Sequence, residues 1–250
     1  MVNAWRKPVL ALVLFGMAFG YLEAAVVSYL RVLHESARQR FHPNRAPERP
    51  PDDLFPLLTL EQVRASGESK TLAIEVGREA ATMLMLAAVA LAATSGFGRW
   101  AAAFVIAFGV WDATFYLFLK LLLGWPESLL TWDILFLIPV PWVAPVLAPV
   151  LVSAAMIAGG VWRLRRDIRL GPWHAAGILL GGVAIIVSFT LDYRNIMAGG
   201  LPRPFHWSVF ALGMAIGIGS FAHAALSELV RLRPKDADDI TRVTGSAAAR

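Results

Sequence analysis

The chain contains no cysteine. Disulfides, thiolate metal sites and cysteine-attached haem are therefore excluded. Charge is also scarce: Asp, Glu, Lys and Arg make up 16% of the 250 residues, where an ordinary soluble domain carries about a quarter. The nucleotide signatures GxGxxG and GxxxxGK[ST] are missing, so neither a dinucleotide fold nor ATP-driven transport is supported. No G-x-S-x-G elbow marks Ser28 or Ser188 as a nucleophile, no H-E-x-x-H announces zinc, and no paired Glu-x-x-His motifs point to a diiron bundle.

Hydrophobic residues are plentiful, at 57% of the chain, and they recur in long runs from end to end. This is the composition of a membrane protein, and the formal charge of +5 sits at the ends of the runs, where lipid headgroups rather than nucleic acid are its partners. A spanning helix needs roughly 20 mainly apolar residues. Six windows qualify: Pro8 to Leu33, Leu72 to Thr94, Trp100 to Leu123, a proline-rich one ending at Trp162, Trp173 to Leu191, and Phe205 to Leu229. The first run is too long for a signal-peptide core and lacks a small-residue cleavage pattern, so it reads as a span. In the fourth window Pro139, Pro141, Pro145 and Pro149 crowd the first half. Proline removes an amide hydrogen, so DILFLIPVPW reads as an interfacial or re-entrant piece turning into a helix near Pro141; a kinked span from Asp133 is the alternative. The expected fold is an all-α polytopic bundle of six transmembrane helices with a proline-broken fourth segment. It forms a single membrane domain over 1–233, with an outer loop at 34–71 and a short cytoplasmic tail at 234–250.

Basic residues set the expected orientation. Arg6, Lys7, Arg99, the run Arg163, Arg165, Arg166 and Arg169, and Arg231, Arg233 and Lys235 all fall on one side, whereas GWPESLLTWD has no basic residue. The positive-inside rule then places both termini in the cytoplasm of a bacterial-type plasma (inner) membrane. Tryptophans agree: Trp5, Trp100, Trp162 and Trp173 fall at one interface, Trp125, Trp132, Trp142 and Trp207 at the other, and Trp111 lies deep. In the outer loop, LLTLEQVRASGES has the pattern of a short amphipathic surface helix.

Against this apolar background the acids need a reason. GYLEAAVVSYLR places Glu23 about eight residues, roughly 12 Å, inside the first span. Asp112 is near the middle of the third span, with Tyr116 and Lys120 following at spacings of four on the same face. Glu75 and Glu79 form another four-residue pair with Arg78 between them, and Asp133, Asp192 and His206 mark outer ends of other spans. The outer half thus holds most of the acids, and the cytoplasmic half chiefly His223 and Glu228. Buried charges on lipid-spanning segments are costly and point to function. Glu23, Glu79, Asp112, Tyr116 and His206 are therefore expected to converge on an outward-opening cavity. Carboxylates and an imidazole in a low-dielectric site can carry a proton, hold a divalent metal or pair with a base such as Arg78 or Lys120.

The sequence supports a membrane-embedded enzyme acting on a lipid or amphipathic substrate, with Glu23, Asp112, Tyr116 and His206 as catalytic candidates and Glu23, Glu79, Asp112 and His206 as candidate ligands of a divalent metal ion. Two alternatives stay open: a non-catalytic assembly or anchor subunit, and a small proton- or cation-coupled transporter, for which six spans show no inverted repeat. The expected partners are membrane lipids, with another membrane subunit or a second copy also compatible. Gly16 and Gly20, Gly177 and Gly181, and Gly213 and Gly217 have the spacing of close helix contact, within one chain or between chains.

Overall fold

The computed structural model describes residues 4–41, 54–166 and 168–231. The tail 234–250 and much of the outer loop lie outside the described residues. Ten elements follow in chain order: α1 (Arg6–Phe41), α2 (Leu60–Ser66), α3 (Ser69–Ala93), α4 (Phe97–Leu123), β1 (Trp132–Phe136), β2 (Trp142–Pro145), α5 (Leu147–Arg166), α6 (Pro172–Thr190), α7 (Tyr193–Met197) and α8 (Trp207–Arg231). Among the described residues, six helical stretches are long and apolar enough to span a membrane. The protein is an all-α six-span bundle whose fourth apolar segment is broken at its prolines.

That break has a different form from the one expected. Instead of a helix entering near Pro141, residues 132–145 form an antiparallel hairpin, pairing Asp133 with Ala144 and Ile134 with Val143, and the helix begins only at Leu147. A helix interior needs the amide hydrogens that Pro139, Pro141 and Pro145 lack, whereas a two-stranded ladder tolerates proline at its ends. Helix α1 also continues to Phe41, beyond the expected end at Leu33. The short α2 is present as anticipated. Thr59 accepts from the Gln62 amide at 3.3 Å while its own amide donates to the Gln62 side chain at 2.8 Å, a reciprocal cap.

Helix α4 is the axis of the bundle. In its most apolar stretch 56% is buried, against 17–33% in the other spans, because α1, α3 and α5 pack around it. Leu12 and Phe19 of α1, Leu86 of α3 and Ile106, Val110 and Trp111 of α4 form the largest buried cluster. Small residues permit the approach: a side-chain carbon at Gly20 would lie 2.8 Å from the Trp111 carbonyl, and one at Gly109 2.7 Å from that of Ser153. Helices α6 and α8 form a second tight pair, in which a carbon at Gly181 would lie 2.6 Å from the Gly213 carbonyl. These glycines therefore serve contacts within the chain. The bundle has two distinct ends. One carries the hairpin, and the other carries Arg163, Arg165 and Arg166 in the last turn of α5.

Candidate functional site

Four elements deliver polar side chains to one place near the hairpin end. Spacings of four and three along α3 align Glu75, Glu79 and Thr82 on a face, and a spacing of four aligns Asp112 and Tyr116 on α4. Together with Glu23 from α1 and Asp133 from β1, these seven residues line a partly open cavity of about 300 Å³. Arg31 and Arg78 line it too, so five carboxyl groups face two guanidinium groups.

Each acid is held by a specific neighbour. The Arg78 guanidinium bridges Glu23 of α1 and Glu75 of its own helix, donating through Nε to both Glu75 carboxylate oxygens at 3.0 Å. Glu79, 7% exposed, accepts the Leu137 amide hydrogen at 2.9 and 3.0 Å, tying α3 to the turn of the hairpin. Asp112 accepts from the Ser153 hydroxyl of α5 at 2.7 Å. Asp133 accepts from the Tyr116 hydroxyl at 2.8 Å. Burial pushes the Asp133 carboxyl up to about 6, against the opposing pull of the nearby Arg31 guanidinium and of the Tyr116 hydroxyl. Arg31 also stacks on the buried Trp125 ring, 4.1 Å from its centroid.

Of the residues singled out in the sequence, Glu23, Glu79, Asp112 and Tyr116 share this cavity. His206 does not: it is exposed and lies outside the lining. Lys120 also points elsewhere, donating to the Gly124 and Pro126 carbonyls at 2.9 and 2.8 Å, where it caps the end of α4. Asp192 binds the Asn195 side chain and the Arg203 amide, both at 3.0 Å, and so shapes a turn. At the opposite end His223 meets His174 at 3.0 Å and joins α8 to α6. Among the described residues no group of three or more His, Asp or Glu is placed to hold a metal ion.

Three participants were not assigned a role in the sequence. Ser153 is a lone hydroxyl in an apolar helix, with no motif around it. Arg31 lies inside the expected first span, which runs to Leu33, and is given no role there. Asp133 reads as a helix-end residue, because its strand was not foreseen. Comparisons with protein-family models, with curated proteins and with solved structures give no match.

Chemically, the arrangement offers two aspartates in different settings. Asp112 rests on a neutral hydroxyl, whereas Asp133 is held by a phenol and balanced by a cation. Such a pair can take up and release protons at a bound molecule.

Proposed function

We propose that this protein is a membrane-embedded enzyme that binds an amphipathic substrate and acts on its polar part by carboxyl acid–base chemistry. The observation that carries this reading is the single cavity uniting Glu23, Glu79, Asp112, Tyr116 and Asp133 from four separate elements. Asp133 serves as the proton acceptor, Tyr116 orients it, and Asp112, positioned by Ser153, supplies or receives the second proton. The arginines at the far end favour a plasma-membrane orientation with both termini cytoplasmic and the cavity facing outward.

The test uses the protein in nanodiscs containing the total lipid of its own membrane, with lipids profiled by mass spectrometry over time. With the natural chain one class of amphiphile is expected to decline, and Asp112→Asn or Asp133→Asn should slow that decline by about a hundredfold or more. A lipid profile that the natural chain leaves unchanged contradicts the proposal.

One observation favours a second reading, a non-catalytic assembly subunit: Arg78 pairs with both Glu23 and Glu75 within the chain, as a structural network would. On that reading the Asn variants change thermal stability and assembly but no lipid is consumed.

A further inference from the structure

The cavity and its surroundings contain three features that its internal bonds do not satisfy. The first is charge. Arg78 pairs with Glu23 and Glu75 and also lies near Glu79, Arg31 serves Asp133, and Asp112 receives its hydrogen bond from a neutral hydroxyl with no cation beside it in the lining. Lys120, the nearest lysine along α4, is committed to the helix end. Carboxylates in excess of cations at membrane depth call for a proton or another positive charge, and a cationic ligand head can supply it. The second feature is a donor. Trp111 lines the cavity and is 5% exposed, and its buried indole N–H has no acceptor, although such groups in folded proteins nearly always have one. The third feature is a groove of about 300 Å³ that adjoins the cavity, sharing Leu57, Glu75, Ile134 and Leu137 with it and continuing along Leu60, Val63 and Leu72.

Resting on the reading of the cavity as a substrate site, we infer that the ligand is an amphiphile whose head carries an ammonium group beside an oxygen acceptor and whose hydrocarbon chain lies in the groove along α2. The ammonium supplies the missing charge to Asp112, with Glu79 sharing Arg78 and the ammonium, and the oxygen accepts from Trp111. Glu75, common to both chambers, marks the junction of head and chain. Leucines and a valine line the groove, an apolar wall that suits the chain.

The experiment measures binding to the full chain in phosphatidylcholine nanodiscs of two probes with the same dodecyl chain, a vicinal amino alcohol and the matching diol, which differ only in ammonium against hydroxyl. The natural chain should bind the amino alcohol about tenfold or more tightly than the diol. Asp112→Asn and Glu79→Gln should shrink that ratio toward one, and Trp111→Phe should weaken both probes alike. Val63→Trp, which fills the groove, should weaken the dodecyl amino alcohol while leaving its butyl analogue unaffected. If Val63→Trp does not fold, a tail-end diazirine on the dodecyl probe should label the peptide 57–72 of the natural chain. Equal affinity for amino alcohol and diol overturns the ammonium assignment, and labelling confined to α6 and α8 overturns the groove. Either failure leaves the lipid-consumption assay able to succeed, so the two proposals fail separately.

Discussion

Asp133 is the residue whose chemistry is most exposed to test. Its carboxyl is pushed up to about 6 by burial, with Arg31 the largest of the three groups opposing the rise, ahead of the Tyr116 hydroxyl and the Ile134 amide. A base with that value is protonated and inactive below about pH 6, so the rate should climb as pH rises through this region. Removing a neighbouring positive charge makes ionisation harder. Arg31→Gln should therefore move the acid limb of the rate profile to higher pH, and Tyr116→Phe should move it the same way by less. A limb that stays in place in both variants would separate Asp133 from the proton transfer. Legibility at this scale was uneven. Glu23, Glu79 and Asp112 stood out because an acid in an apolar run is costly, but cost does not reveal facing, and His206 was nominated on the same ground although it is exposed and apart. Ser153 left no trace, since a serine hydroxyl in a helix can as readily bond its own backbone.

At the scale of elements, the hairpin was the least legible part. Residues 132–145 form a short apolar run with prolines, and period alone does not separate a strand from a broken helix at that length. The ladder places Asp133 against Tyr116 and holds the Leu137 amide on Glu79, so the hairpin is a wall of the cavity. Glu79→Gln weakens a charge-assisted bond of about 1.5–3 kcal/mol. Amide exchange should then accelerate across 132–145 while α6 and α8 keep their protection; uniform protection everywhere would show that the tie does not hold the hairpin. The other five spans, in contrast, were legible to within a few residues over their apolar stretches because hydropathy reports transfer from water directly. Close packing follows from residue size. Gly20→Leu drives a side chain into the Trp111 backbone of α4 and should cost at least about 1–3 kcal/mol, read as a lower melting temperature in detergent. An unchanged melting temperature would mean that α1 and α4 do not interlock there.

At the scale of the whole molecule, the bundle is asymmetric: its ionisable lining gathers at the hairpin end, and the other end holds the arginines and the His174–His223 contact. If the cavity is the proposed substrate site, it should be hydrated from one side only, which would separate the proposed enzyme from a transporter with alternating access. The absence of cysteine makes the test clean, since any single thiol introduced is the sole one. Val27→Cys and Phe115→Cys place thiols in the cavity lining, and Leu179→Cys and Leu212→Cys place them on exposed apolar faces of α6 and α8 that suit lipid contact. The decisive measurement is labelling of these four variants by a membrane-impermeant thiol reagent, applied separately to each face of sealed, oriented vesicles. The expected result is labelling of Val27→Cys and Phe115→Cys from the hairpin face alone and of neither control. Unreactive cavity thiols, or thiols labelled from both faces, would contradict a one-sided water-filled site.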